Sequence, residues 1–297
     1  MNAKLPMQNP LSRRQMIART AQTATALALS APFAPLLAAP EQRGFKIGAC
    51  DWNLGRMADP SCFEVAQEIG LDGVQVSLGT AANKMHLRQP QMQRAYLAAS
   101  RKSGVAIASL AIGELNNIAL KSEPVAAIWL LDSIEVLKAL GLKVVLVAQF
   151  YKGELKDDKP GIDRTVSVLK ELAPRAEKAG VILGIENYLS AEENLDIVQR
   201  VGSPAVQIYY DVGNSTDKGY DIYKEIRMLK GRVCEFHAKD GKYMLGQGRV
   251  DFKKVRDAMD EIGYRGWIQI EAAAPRGLVP DYKAHLAFLK GVFPATV

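Results

Sequence analysis

The sequence predicts an α/β protein: one (β/α)8 TIM-barrel domain, residues 41–297, behind an export signal at residues 1–40. Three observations predict it. From Gly44 onward, short β-rich runs alternate with longer helical patterns eight times. Gly70, Gly104, Gly141, Gly180, Gly202 and Gly263 stand where helices should stop before the next strand. Four apolar runs in the second half, VILGIE, VQIYYD, VCEFH and WIQIE, close on Glu186, Asp211, His237 and Glu271.

The chain opens on an address. Ser12-Arg13-Arg14-Gln15-Met16-Ile17 resembles the twin-arginine export motif, and Thr20–Pro40 is uncharged and Ala-rich. Pro32 and Pro35 interrupt that stretch, which argues against a permanent span, and cleavage is expected near Ala39. The expected location is the periplasm, with membrane contact only through the signal during export. Ile47-Gly48-Ala49-Cys50 looks like a lipoprotein box, but Glu41, Arg43 and Lys46 separate it from the apolar stretch, so it reads as a strand.

The predicted strands are Phe45–Cys50, Gly73–Val76, Ala106–Ala111, Val144–Val147, Val181–Glu186, Val206–Asp211, Val233–His237 and Trp267–Glu271. Between and after them, helices are predicted near Pro60–Ile69, Gln89–Ser103, Pro124–Leu140, Gly161–Ala179, Ala191–Val201, Tyr220–Leu229, Phe252–Ile262 and Tyr282–Lys290. Val166, Leu169, Leu172 and Ala176 show the helical spacing, falling on one face. A doubly wound open sheet would share this alternation, but no G-x-G-x-x-G follows the first strand.

Charge excludes one class of partner. The net charge is +6, yet residues 1–40 hold Lys4, Arg13, Arg14 and Arg19 and no acid. Without those four, 34 basic residues face 32 acidic ones, and no basic, aromatic-interleaved stripe remains to track a nucleic acid. Cys50, Cys62 and Cys234 are too few and too odd for a disulfide framework. Cys50 and Cys234 are expected as small buried residues; a Cys50–Cys62 bridge stays open. Of the three histidines, His86 and His285 are expected at the surface.

A parallel barrel gathers the C-terminal ends of its strands at one face. Glu186, Asp211, His237 and Glu271 are therefore expected to converge. A single acid at a strand end is ordinarily a helix cap or a loop ion pair. Four in succession, with an imidazole among them, make a hard, oxygen-rich set suited to one divalent ion: Mn2+ first, with Mg2+, Co2+ or Zn2+ as alternatives.

Gly184-Ile185-Glu186-Asn187, Asp211-Val212-Gly213-Asn214, His237-Ala238-Lys239-Asp240, the Gly246–Phe252 segment and Ile268-Gln269-Ile270-Glu271 resemble, in order, the xylose isomerase-like TIM-barrel superfamily, in its sugar isomerase/epimerase branch. The resemblance implies metal ligation by Glu186, Asp211, His237 and Glu271, with both glutamates also moving protons, one on each face of the substrate. It departs at Asn214, where ketose epimerases often carry His; Asn still donates to a sugar hydroxyl.

Substrate contacts are expected from Asn214, Lys239, Asp240, Asn187, Glu192 and Trp52. For Lys239 and Asp240 an ion-pair or capping role competes, and Trp52 equally suits a lid on the core. The polar loop Glu114–Asn117 either lines the pocket or caps a helix. Gly246 and Gly248 are expected to let the chain pass close to the site. The expected function is a metal-dependent isomerase or epimerase acting on a small-molecule sugar. The alternatives are a lyase or hydrolase of a keto-glycoside using the same site, and a non-catalytic sugar-binding protein. A homodimer through exposed barrel helices remains open.

Overall fold

A computed structural model describes residues 44–294; the expected twin-arginine signal falls outside the described residues. Eight parallel strands, β1 Lys46–Cys50, β2 Gly73–Ser77, β3 Ala106–Ile112, β4 Val144–Ala148, β5 Ile182–Glu186, β6 Val206–Asp211, β7 Val233–Ala238 and β8 Trp267–Ile270, form a closed barrel in chain order. The last strand closes on the first through the register Ile47↔Ile268 and Ala49↔Ile270. An open sheet is thereby excluded, and the barrel expectation holds.

Each strand is followed by a helix on the outside. These are α1 Cys62–Ile69, α2 Pro90–Ser103, α3 Pro124–Leu140, α4 Lys159–Ala179, α5 Ala191–Val201, α6 Val212–Asp217, α7 Ile222–Leu229, α8 Phe252–Glu261 and α9 Leu278–Val292. Helix α4 shows why they form. Asp158 caps its first turn by accepting from the Gly161 amide, and Val166, Leu169, Leu172 and Ala176 share its buried face. Gly180 then ends it at φ 66°, backbone that a side chain would strain.

Two features departed from the expected pattern. Helix α6 starts directly on Asp211, too short to show a period in the sequence. Helix α9 begins four residues earlier than expected, and its inner face buries His285, placed at the surface from sequence. The imidazole Nε2 donates to the Ala273 carbonyl at 2.9 Å. His86 is likewise half-buried against the Tyr96 ring. The Cys50–Cys62 bridge is not formed; all three thiols are free. Among the described residues no helix is long and apolar enough to cross a membrane.

Register is what aims the site. Asp211 pairs with His237 across β6 and β7, and His237 pairs with Gln269 across β7 and β8. Glu271, one residue past β8, donates its amide to the Ala238 carbonyl at 3.0 Å. Ala148 of β4 sits beside Glu186 of β5. One-residue slips would turn these side chains to the opposite face.

Candidate metal centre

The four strand-end side chains meet. Glu186, Asp211, His237 and Glu271 each bring one ligand atom to within 4.8 Å of the other three. His237 is fully buried, and Glu186 and Asp211 nearly so. His237 Nδ1 lies 2.7 Å from Glu186 Oε1 and 3.9 Å from Glu271 Oε2. Three carboxylates this close in a dry site repel one another, and desolvation adds to that cost.

Asp211 shows that a helix cap and a candidate ligand can share one carboxylate. Its Oδ1 accepts from the Gly213 and Asn214 amides at 2.7 and 2.9 Å, starting α6. Its Oδ2 is buried without a hydrogen-bond partner among the described residues. An orphaned carboxylate oxygen aimed at a carboxylate–imidazole cluster fits a divalent cation. The donor set fits the hard ions better than a thiolate-preferring one.

Lys239 is the cation the chain itself supplies. Its Nζ sits 2.9 Å from Glu271 Oε2 and 3.8 Å from Asp211 Oδ2. It reaches there because Gly213 lies against its side chain, where a Cβ would come 2.6 Å from Lys239 Cβ. Trp52 Nε1 donates to Glu271 Oε1 at 3.1 Å, so both Glu271 oxygens are held. The Trp52 ring meets the His237 ring edge-on at 6.2 Å.

Asn214 is buried beside the cluster at the start of α6. Of the remaining expected contacts, Asp240 and Asn187 also hold local backbone and side-chain bonds. Asp240 accepts from the Gly246, Gly248 and Val250 amides at 2.8–3.1 Å and so shapes the 246–250 loop. The two glycines wrap that carboxylate, which explains them without a passage past the site. Asn187 accepts from the Leu189 amide and donates to Asn194, and Glu192 is exposed in the first turn of α5. Of the Glu114–Asn117 loop, Asn116 accepts from the Phe150 amide.

Sequence reading missed a layer below the four clustered side chains. Gln75, Ser109, Tyr209, Glu235 and Gln269 form a buried polar cluster inside the barrel. Cys50, expected as a mere space-filler, places its Sγ 3.4 Å from both His237 Nε2 and Gln75 Oε1. Gln149, just past β4, buries an Oε1 without a partner among the described residues. One signal was available: a charged residue in mid-strand, Glu235, two positions before His237 and hence on the same face.

Burial pushes the Asp211 carboxyl up to about 8, with Glu271 and Glu186 adding to the rise and Lys239 opposing it. Burial pushes Asp51 up to about 6 and Glu235 up to about 7. Burial opposes charge on His237, but Glu186 and Glu271 outweigh it and hold the imidazole well above its ordinary range. Burial raises Glu271 too, yet His237 and Lys239 win and leave it low. The raised groups bind more protons folded than unfolded, so their stabilisation is present at low pH and fades as pH rises through each folded value. The metal-free protein should therefore melt at falling temperature from pH 5 to pH 8, and excess Mn2+ should recover most of the loss at pH 8. A flat or rising series in thermal melts would contradict these shifts.

Residues 63–292 match the sequence model of the Xylose isomerase-like TIM barrel family. The chain belongs to that family. Members similar to it include a 2-epi-5-epi-valiolone 7-phosphate 2-epimerase from Actinoplanes sp., 26% identical over 72% of this chain and 82% of that one. An L-ribulose-5-phosphate 3-epimerase from Salmonella heidelberg is 26% identical over 70% of this chain and 79% of its own. In fold, the D-psicose 3-epimerase of Clostridium cellulolyticum superposes with a TM-score of 0.72 at 19% identity, covering 84% of this chain and 99% of the other.

Proposed function

We propose that this protein is a divalent-metal-dependent isomerase or epimerase of a sugar or sugar derivative, exported to the periplasm, that moves a proton through an enediolate. The convergence of Glu186, Asp211, His237 and Glu271, with Asp211 Oδ2 left without a hydrogen-bond partner among the described residues, carries the reading. The epimerase names of its relatives support the reaction class. Mn2+ is the proposed ion, held by those four side chains.

A proton on a carbon beside a carbonyl is weakly acidic, so abstraction needs a positive charge near the oxygen. A bound divalent ion supplies that charge. Glu186 meets His237 through Oε1, while its other oxygen has no protein partner among the described residues and is free to take the proton. Glu271 comes from β8, three strands further round the ring, and returns a proton from the other side. Return on the opposite face inverts the centre; return to the neighbouring carbon interconverts aldose and ketose. Trp52 and Lys239 hold Glu271 in place, and Lys239 and Asn214 are the proposed partners of substrate oxygens.

A second reading, cleavage of a keto-glycoside, rests on a different feature. Tyr151 is 83% exposed at φ 49°, next to Phe150, whose ring packs 4.6 Å from that of Tyr188. This aromatic ledge suits a second ring beyond the reacting sugar. The test is a panel of free ketoses, aldoses and keto-glycosides in D2O, with Mn2+ and with chelator. The proposal expects metal-dependent deuterium entry at one carbon with clean interconversion of isomers. Release of a second ring would move the assignment to cleavage. Saturable sugar binding with no exchange on any substrate would leave a binding protein.

A further inference from the structure

His237 presents Nδ1 to the carboxylate cluster and Nε2 to the barrel interior. A neutral imidazole carries its proton on one nitrogen only, so ligation through Nδ1 requires the proton on Nε2. The interior beneath it decides that question. Nε2 lies 3.0 Å from Gln75 Oε1. An amide can face either way, however, and an NH2 turned toward His237 would demand the wrong tautomer.

Gln75 is not free to turn. Its Nε2 donates to Ser109 Oγ at 3.1 Å and to Tyr209 Oη at 3.0 Å. Each hydroxyl owns a single proton, and each gives it to the same oxygen of Glu235: Ser109 at 2.8 Å and Tyr209 at 3.0 Å. With their protons spent on a carboxylate, both hydroxyls can only accept from Gln75. The amide must then point its NH2 away from His237 and its oxygen toward it. All five residues are buried, so water does not compete for these directions.

We propose that Glu235 and Gln75 are positioning residues for the metal centre. Glu235 sets the polarity of the Ser109/Tyr209 pair, that pair fixes the Gln75 amide, and Gln75 holds the His237 proton on Nε2 with Nδ1 open for the ion. Neither residue reaches the substrate. The inference rests on the metal-site reading proposed above for His237, and it deepens that reading. Outer partners of this kind change metal affinity by roughly 10–100-fold.

The test uses the full chain with 15N-labelled histidine, loaded with Zn2+ as a diamagnetic probe for NMR, and Mn2+ titration by calorimetry. Wild type should show a solvent-protected N–H proton on His237 Nε2, told from that of buried His285, which bonds the Ala273 carbonyl, by its loss in His237→Gln. Gln75→Met keeps the bulk and removes the acceptor. It should lose that protected proton and bind Mn2+ about 10–100-fold more weakly, while its metal-free melt stays cooperative. Glu235→Gln is isosteric and carries the test should Gln75→Met not fold. It frees the hydroxyl pair to reverse, so the protected proton should fall in intensity and Mn2+ affinity should drop several-fold. A protected Nε2 proton and an Mn2+ affinity within twofold of wild type in the folded variants would overturn the positioning role. If wild type binds no Mn2+ at all, the metal reading fails instead, and the two failures are distinguishable.

Discussion

Glu186→Gln and Glu271→Gln should each abolish metal-dependent deuterium exchange, lowering it at least about 100-fold, the range a positioned acid or base supplies. The two variants should differ in a second respect. Glu186 Oε1 touches only His237, whereas Glu271 also anchors Lys239 and Trp52. Removing the Glu271 charge leaves the half-buried Lys239 ammonium with only Asp211 Oδ2, 3.8 Å away, so Glu271→Gln should also melt lower than wild type when metal-free. Glu186→Gln should melt lower by less, because the His237 imidazole it leaves unpaired can shed its proton, whereas the Lys239 ammonium stays charged. Thermal melts beside the exchange assay check both parts. Undiminished exchange in either variant would remove that glutamate from the proton path.

Asp211→Asn should lose the metal and keep the fold. The two carboxylate oxygens do different work: Oδ1 caps α6 through Gly213 and Asn214, and Oδ2 faces the cluster with no hydrogen-bond partner among the described residues, Lys239 Nζ standing off at 3.8 Å. Asn is as good a cap as Asp, so Oδ1 can still accept both amides. At the other position an NH2 would replace the orphan oxygen, and an NH2 donates where a cation needs a donor atom. Mn2+ affinity should fall by at least about 100-fold, above the range seen when only an outer partner is removed. The metal-free protein should melt at or above the wild-type temperature, because a carboxyl that burial pushes up to about 8 has been replaced by a neutral group. Unchanged calorimetric titration, or a collapsed fold, would separate Asp211 from the proposed site.

The upper layer of this site was legible in the sequence, because barrel strands end abruptly and their last side chains are the ones exposed to the mouth. Glu186, Asp211, His237 and Glu271 each stop an apolar run, and a polar residue ending such a run needs a partner or a ligand. The layer beneath was less legible. Gln75 in GVQVS and Glu235 in VCEFHA sit among apolar neighbours in separate strands. Their partnership depends on how β2 faces β7 across the closed ring, which no local pattern encodes. Loop side chains carry local roles that the sequence did not show, for a related reason. Asp240, Asn187 and Glu192 follow the correct strands, but loop backbone amides compete for nearby carboxylates and amides. Asp240 and Asn187 make such bonds, while Glu192 is exposed on the first turn of α5, whose capping box uses Glu193 instead. His285 was misplaced because its polarity was read as exposure, although it lies three residues after Tyr282 and four before Leu289, on the buried face of α9.

The most direct measurement is anomalous X-ray scattering from crystals of the full chain grown or soaked with Mn2+. The account predicts one strong manganese peak per chain, coordinated by Glu186, Asp211 through Oδ2, His237 through Nδ1, and Glu271, with Lys239 displaced from the carboxylates. A peak bound elsewhere, or none among these four side chains at saturating Mn2+, would contradict it.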